Sequence, residues 1–156
     1  MTTDFGVSLI NFILHAKQAS YVGSGETLLP YRLGSHDLQF HEGDWVYHDC
    51  YFGENDFMGE EIVYYQGRVV WGMNYFGRII QPEKITSADA GAIIRQSLSK
   101  MYQTGRFLGG FKNDVGKFTY TDTNEGDPLY FKGWEWIDIR GEIVYALDYH
   151  GGLIKE

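Results

Sequence analysis

Two stretches of the chain repeat apolar side chains at helical spacing, and most of the remainder alternates with a period of two. Over residues 4–19, Phe5, Leu9, Phe12, Ile13 and Ala16 share one helical face. Val7, Ile10 and Leu14 widen that face, and Thr3 or Asp4 can cap the first amides. Over residues 87–103, Ala90, Ile93, Ile94, Leu98, Met101 and Tyr102 form a second stripe, with Ser87 as cap and Gly105 as stop. Alternation predicts strands at 37–41, 44–52, 60–65 and 68–76, then at 117–122, 130–138 and 142–150. Gln66-Gly67 and Arg140-Gly141 read as hairpin turns, and the Gly53 to Asp56 connection as a further glycine-bearing turn. Gly23, Gly25 and Pro30 mark an irregular loop behind the first helix.

These elements predict an α+β fold: a mostly antiparallel sheet of about six strands with two helices packed on one face, in the order α-βββ-α-βββ. No Pro/Ser linker, low-complexity tract or charge block divides the chain, so residues 1–156 read as a single domain. Tyr-Phe-Gly occurs at 51–53 and again at 75–77, too short to count as an internal repeat.

Alternation also sorts side chains by face. Trp45, Tyr47, Asp49 and Tyr51 share one side of their strand, which sets an acid among three rings. Such an acid is either hydrogen-bonded by tyrosine hydroxyls or has a raised pKa suited to proton transfer. Glu60 and Glu61 must point to opposite faces; Glu61, if inward, could meet Asp49 across the sheet as two carboxyl groups for acid–base work. Trp71, Met73 and Tyr75 share a face of the hairpin partner, opposite Asn74. Trp45, Tyr47, Trp71, Tyr75, Trp134 and Trp136 either fill the core or line a groove or interface.

Charge narrows the function classes. Residues 36–77 hold eight of the 21 acidic residues, one base (Arg68) and 11 of the 26 aromatics, so −7 of the formal −8 lies there. An acidic surface faced with rings suits cationic or polyhydroxyl ligands and repels phosphate backbones, so direct nucleic-acid binding is not expected. One cysteine, Cys50, leaves no internal disulfide, no apolar run is long enough for a bilayer span, and Met1 to Asp4 lacks a signal-peptide opening. A cytoplasmic chain without a membrane partner is expected. Gly-x-Ser-x-Gly, the Walker-type pattern and Gly-x-Gly-x-x-Gly are all absent, and no cofactor is expected. Of the five histidines, His36-Asp37 and His41-Glu42 resemble ligand-rich loops, and His150 stands beside paired glycines. A metal site from His36, Asp37 and His150 is the weaker alternative to no metal at all.

Seven passages carry a resemblance. Gly34-Ser-His-Asp-Leu38, Glu42-Gly-Asp-Trp45, Asp49-Cys-Tyr-Phe-Gly53 and Phe57-Met-Gly-Glu-Glu61 lie in the first half. Val70-Trp-Gly-Met-Asn-Tyr75, Gly105-Arg-Phe-Leu-Gly109 and Asp148-Tyr-His-Gly-Gly152 complete the set. With them the chain resembles an uncharacterised bacterial domain family, found alone or fused to Xre-type helix-turn-helix regulators. The resemblance implies a sensing or effector role; DNA regulation is not carried over, because the chain shows no such module. The reading that results is a small-molecule-binding domain with an acidic, aromatic-lined pocket built from Trp45, Tyr47, Asp49, Glu61, Trp71, Asn74, His36 and His150. The first alternative is a hydrolase or isomerase whose acid and base come from Asp49, Glu60, Glu61, His36 and His150, with Asp49, Glu61 and His150 foremost. The second is a homodimer or protein-interaction module with exposed rings.

Overall fold

The computed structural model describes residues 4–22 and 26–155, without the side chains of residues 21 and 22; Thr3, Gly23 and Gly25 lie outside the described residues. Helix α1 (Asp4–Val22) is followed by strands β1 (Glu26–Leu28), β2 (His36–Glu42), β3 (Trp45–Gly53), β4 (Asp56–Tyr65) and β5 (Arg68–Ile79). Helix α2 (Ser87–Gln103) then precedes β6 (Phe111–Val115), β7 (Phe118–Asp127), β8 (Tyr130–Ile139) and β9 (Glu142–Leu153). The fold is α+β, with all nine strands in one antiparallel sheet of order β1-β2-β3-β4-β5-β9-β8-β7-β6.

The sheet has nine strands rather than about six; two of them, β1 and β6, lie outside the seven segments that alternation marks and show why it undercounts. β1 is three residues long at one edge, and β6 sits at the other edge, where Lys112 and Asp114 alternate with half-buried neighbours. Edge strands need bury little, so their apolar signal is faint. Helix α2 has the predicted span, but its N-cap is Thr86, whose side chain accepts from the Asp89 amide. Among the described residues no helix is long and apolar enough to cross a membrane.

Both helices cover the same sheet face. Leu9, Phe12, Ile13 and Ala16 of α1 and Ala90, Ile93, Leu98 and Met101 of α2 are buried in one apolar cluster with Tyr47, Val63, Trp71, Tyr120, Ile137 and Val144 of the sheet. The opposite face carries a smaller buried group under the loop before β2. Asp37 there accepts hydrogen bonds from Ser35 Oγ (2.5 Å), His48 Nε2 (2.8 Å) and the Tyr31 amide (3.1 Å). Burial pushes its carboxyl up, but these donors and the Cys50 thiol more than offset that and hold it at about 2.

The sheet is a duplication about β5 and β9. Tyr47, Asp49, Gly53, Phe57, Gly59, Glu61 and Tyr75 correspond to Tyr120, Asp122, Gly126, Phe131, Gly133, Glu135 and Tyr149. The correspondence extends beyond identity. Asp49 stands opposite Glu61 and Asp122 opposite Glu135; the register slips after Val63 and again after Ile137. Both hairpin turns use two positive-φ residues, Gln66-Gly67 and Arg140-Gly141, as predicted. Tyr75 and Tyr149 face each other across the β5–β9 ladder, as equivalent residues must beside a two-fold axis. Tyr-Phe-Gly is not the repeat unit; the true repeat is spread over three strands.

Each half lays a tyrosine ring over a glycine. A Cβ at Gly59 would stand 2.4 Å from Tyr75 Oη, and one at Gly133 would stand 2.0 Å from Tyr149 Cζ. Gly133→Ala should therefore lift the Tyr149 ring and break its bond to Asp122, at a cost of about 1–3 kcal/mol. Chemical denaturation of the variant measures this; unchanged stability would mean that the ring has room to move.

Candidate functional site

Between the helices and the inner sheet face lies a cavity of about 640 Å³. Its wall combines apolar side chains of α2 with tyrosines and carboxyl groups of the sheet, and Lys17 enters from α1. Four acids line it from the strands: Asp49, Glu61, Asp122 and Glu135. A fifth, Glu54, is exposed at the wall, as are His36 and Arg95.

Alternation places these groups. Asp49 on β3 and Glu61 on β4 are register partners with side chains on the helix-facing surface, as are Asp122 on β7 and Glu135 on β8. Lys17 Nζ donates to Glu61 Oε2 at 2.5 Å, and both side chains are almost wholly buried. Tyr75 Oη donates to Asp49 Oδ1 and Tyr149 Oη to Asp122 Oδ1, each at 2.7 Å. Glu135 accepts from Tyr120 Oη at 2.5 Å and from Tyr145 Oη at 2.8 Å.

The electrostatics follow from burial. Removal from water raises the Asp49 carboxyl, the Glu61 charge raises it further, and the Tyr75 hydroxyl and Lys17 oppose the rise. Burial likewise pushes Glu135 up to about 7, against hydrogen bonds from Tyr120 and Tyr145 and with help from the Asp122 charge. Asp122 is raised by burial despite its Tyr149 bond and the charges of Arg106 and Lys17. The same surroundings push the Tyr149 hydroxyl well up. Asp49 and Glu135 can therefore take up a cation or exchange a proton near neutrality.

The residues expected from the sequence divide between three places. Asp49, Glu61 and His36 line the cavity; His36 is exposed and stacks on Tyr51 with ring centroids 4.9 Å apart. Trp45, Tyr47 and Trp71 are on the same helix-facing side of the sheet but do not line the cavity; they serve as packing. Trp45 stacks on Phe12 at 5.3 Å, Tyr47 is buried, and Trp71 Nε1 donates to the Pro128 carbonyl at 2.8 Å. Asn74 and His150 are register partners, exposed on the opposite sheet face. Glu60 is on that outer face as well, where Arg32 Nη2 bonds it at 2.6 Å. His36, Asp37 and His150 are therefore not gathered. Among the described residues no group of three or more His, Cys, Asp or Glu is arranged to hold a metal ion.

Sequence reasoning missed Lys17, Asp122, Glu135 and the tyrosines that bond the second pair, Tyr120, Tyr145 and Tyr149; a tyrosine hydroxyl on Asp49 was one of its two expectations, and Tyr75 supplies it. Two signals were present: a lysine beside Ala16 on an otherwise apolar helix face, and Gly-x-Glu recurring at 59–61 and 133–135 behind an Asp.

A family model matches residues 49–154, about two thirds of the chain and nearly all of the acid-bearing sheet. The chain belongs to that family, described as Domain of unknown function (DUF5680). Both copies of the Asp, Gly-x-Glu and Tyr pattern fall within the DUF5680 match, whereas α1 with Lys17 precedes it. No curated protein and no solved structure matches the chain.

Proposed function

We propose that this is a small-molecule-binding domain, sensory or effector in role, whose cavity takes a cationic ligand. One observation carries the reading: four carboxyl groups converge on a ring-lined cavity where Lys17 is the single buried cation among the described residues. Negative charge held in a poorly hydrated site attracts an ammonium group, and aromatic walls suit its apolar part. A polyhydroxyl compound is the second ligand class, since carboxylates and tyrosine hydroxyls also serve sugar-like hydroxyls. The resemblance to bacterial domains standing alone or fused to Xre-type regulators supports a sensor or effector. Nucleic acid is not part of the proposal, because the net charge is −8.

The test is a thermal-shift screen with primary amines, sugars and divalent metals. A ligand at about a hundred times its Kd adds about 2.7 kcal/mol, which moves the melting temperature by several degrees. Amines should give the shift; no shift with any class sinks the proposal.

Acid–base catalysis is the alternative favoured by the direct pairing of Asp49 with Glu61. Each of these acids, however, already has a partner in the protein, Tyr75 and Lys17 respectively. Assembly is favoured by Met58, Phe76 and Trp134, which stand exposed along one outer row of the sheet. A monomeric mass by analytical ultracentrifugation would remove that alternative.

A further inference from the structure

The two halves of the duplication answer their acid pairs differently. In the first, Glu61 holds the ammonium of Lys17 at 2.5 Å. In the second, Glu135 holds two tyrosine hydroxyls, and Asp122 holds one on Oδ1. The other oxygen, Asp122 Oδ2, is buried with no hydrogen-bond partner among the described residues, on a cavity-lining residue that is 3% exposed. Buried carboxylate oxygens are normally satisfied, and one left bare carries the full cost of its desolvation.

Helix α2 gives the second pair no counterpart of Lys17. It turns Ala90, Ile94, Leu98 and Met101 to the cavity, with Arg95 exposed. Its remaining base, Lys100, bonds Asn113 Oδ1 at 2.9 Å. Arg106 and Lys17 both act on Asp122 through their charge, but Arg106 directs Nη1 to the carbonyls of Leu108 (3.0 Å) and Gly110 (2.7 Å), and Lys17 donates to Glu61.

We propose that Asp122, with Glu135 beside it, is the seat of the ligand's ammonium group, the counterpart of the seat that Lys17 fills from within at Glu61. The assignment rests on the cation-binding reading above and names its ligand class: a primary monoamine with an apolar body. Lys17 is the internal example of the head group, a compact donor of three hydrogen bonds on an alkyl stem. A single charge follows because the first seat is already taken. The apolar body follows from the α2 wall.

Calorimetric titration of the whole chain at pH 8 tests this with hexylamine, hexan-1-ol as the neutral isostere and hexane-1,6-diamine as the dication. Hexylamine should bind one equivalent, at least about tenfold tighter than the alcohol. Asp122→Asn and Glu135→Gln should each weaken it at least about tenfold, while Asp44→Asn, at an exposed acid away from the cavity, should change nothing. Lys17→Met opens the first seat, so the diamine should then outbind hexylamine by about tenfold or more, a preference absent from the wild type. Hexylamine binding unchanged in both acid variants overturns the seat and leaves the amine reading standing. No binding of either amine to the wild type overturns both. Should the variants fail to fold, the wild type decides, and hexane-1,6-diamine binding it tighter than hexylamine overturns the single-charge seat.

Discussion

Lys17→Met is expected to lower the unfolding free energy by about 3–5 kcal/mol, the usual result of removing one partner of a buried ion pair. The reason is local. Glu61 Oε2 receives Lys17 Nζ inside the protein, and Asp49 stands directly across the ladder. Deleting the ammonium leaves two neighbouring acids buried around a hole in their field, and methionine replaces the stem but not the charge. The melting temperature should fall on the order of 10 °C for a chain of this size. Lys17→Met combined with Glu61→Gln should recover most of the loss, because the uncompensated charge leaves with its partner. Urea denaturation of the two variants measures both; a single variant as stable as wild type would show that the pair contributes nothing net.

Stability should fall as pH rises from about 4.5 to about 7, by an amount that Glu135 alone sets on the order of 3 kcal/mol. The folded Glu135 keeps its proton up to about 7, whereas an ordinary glutamate releases it near 4.5. Between those values the folded chain binds more protons than the unfolded one, so the contribution is complete below the lower value and lost through the upper. The raised carboxyls of Asp49 and Asp122 act in the same direction. Asp37 acts oppositely and only in acid, since its depressed carboxyl loses stability as pH falls from about 3.8 through about 2. Denaturation midpoints at pH 5, 6, 7 and 8 should decline and then level, and Glu135→Gln should flatten much of the slope. A midpoint that does not decline, or a variant that keeps the whole slope, would contradict buried acids of this kind. An amine ligand should oppose the trend, because it binds the ionised pair and tightens as pH rises past 7.

The legible parts of the fold were those with a strong period. Helix α2 and the two hairpins closed by Gln66-Gly67 and Arg140-Gly141 were plain, since a buried stripe and left-handed turn residues leave local marks. Asp49 and Glu61 were legible one face at a time, but their meeting depended on a register that only the assembled sheet fixes. The large rings misled. Trp45 and Trp71 are packing outside the cavity, while the smaller tyrosines, able to donate as well as pack, carry the acids. Lys17 was hidden for the opposite reason, because a lysine at the edge of an apolar stripe ordinarily extends its charge to solvent. Asp122 and Glu135 were overlooked because, although residues 114–148 also hold eight acids, Lys117, Lys132 and Arg140 are interleaved there and mask the net charge that marks residues 36–77.

The two-fold relation between the halves has a consequence for what such a cavity can recognise. Two identical half-chains meeting through a strand like β5 or β9 would have to carry a lysine at both acid pairs or at neither. With both, the charges would be satisfied from within; with neither, a dication would be the natural guest. Joined in one polypeptide, the copies are free to diverge, and here one has its own ammonium while the other keeps a bare carboxylate oxygen. A symmetric frame thereby encloses an interior with a distinct polar head and apolar tail, which favours one orientation of a lopsided guest.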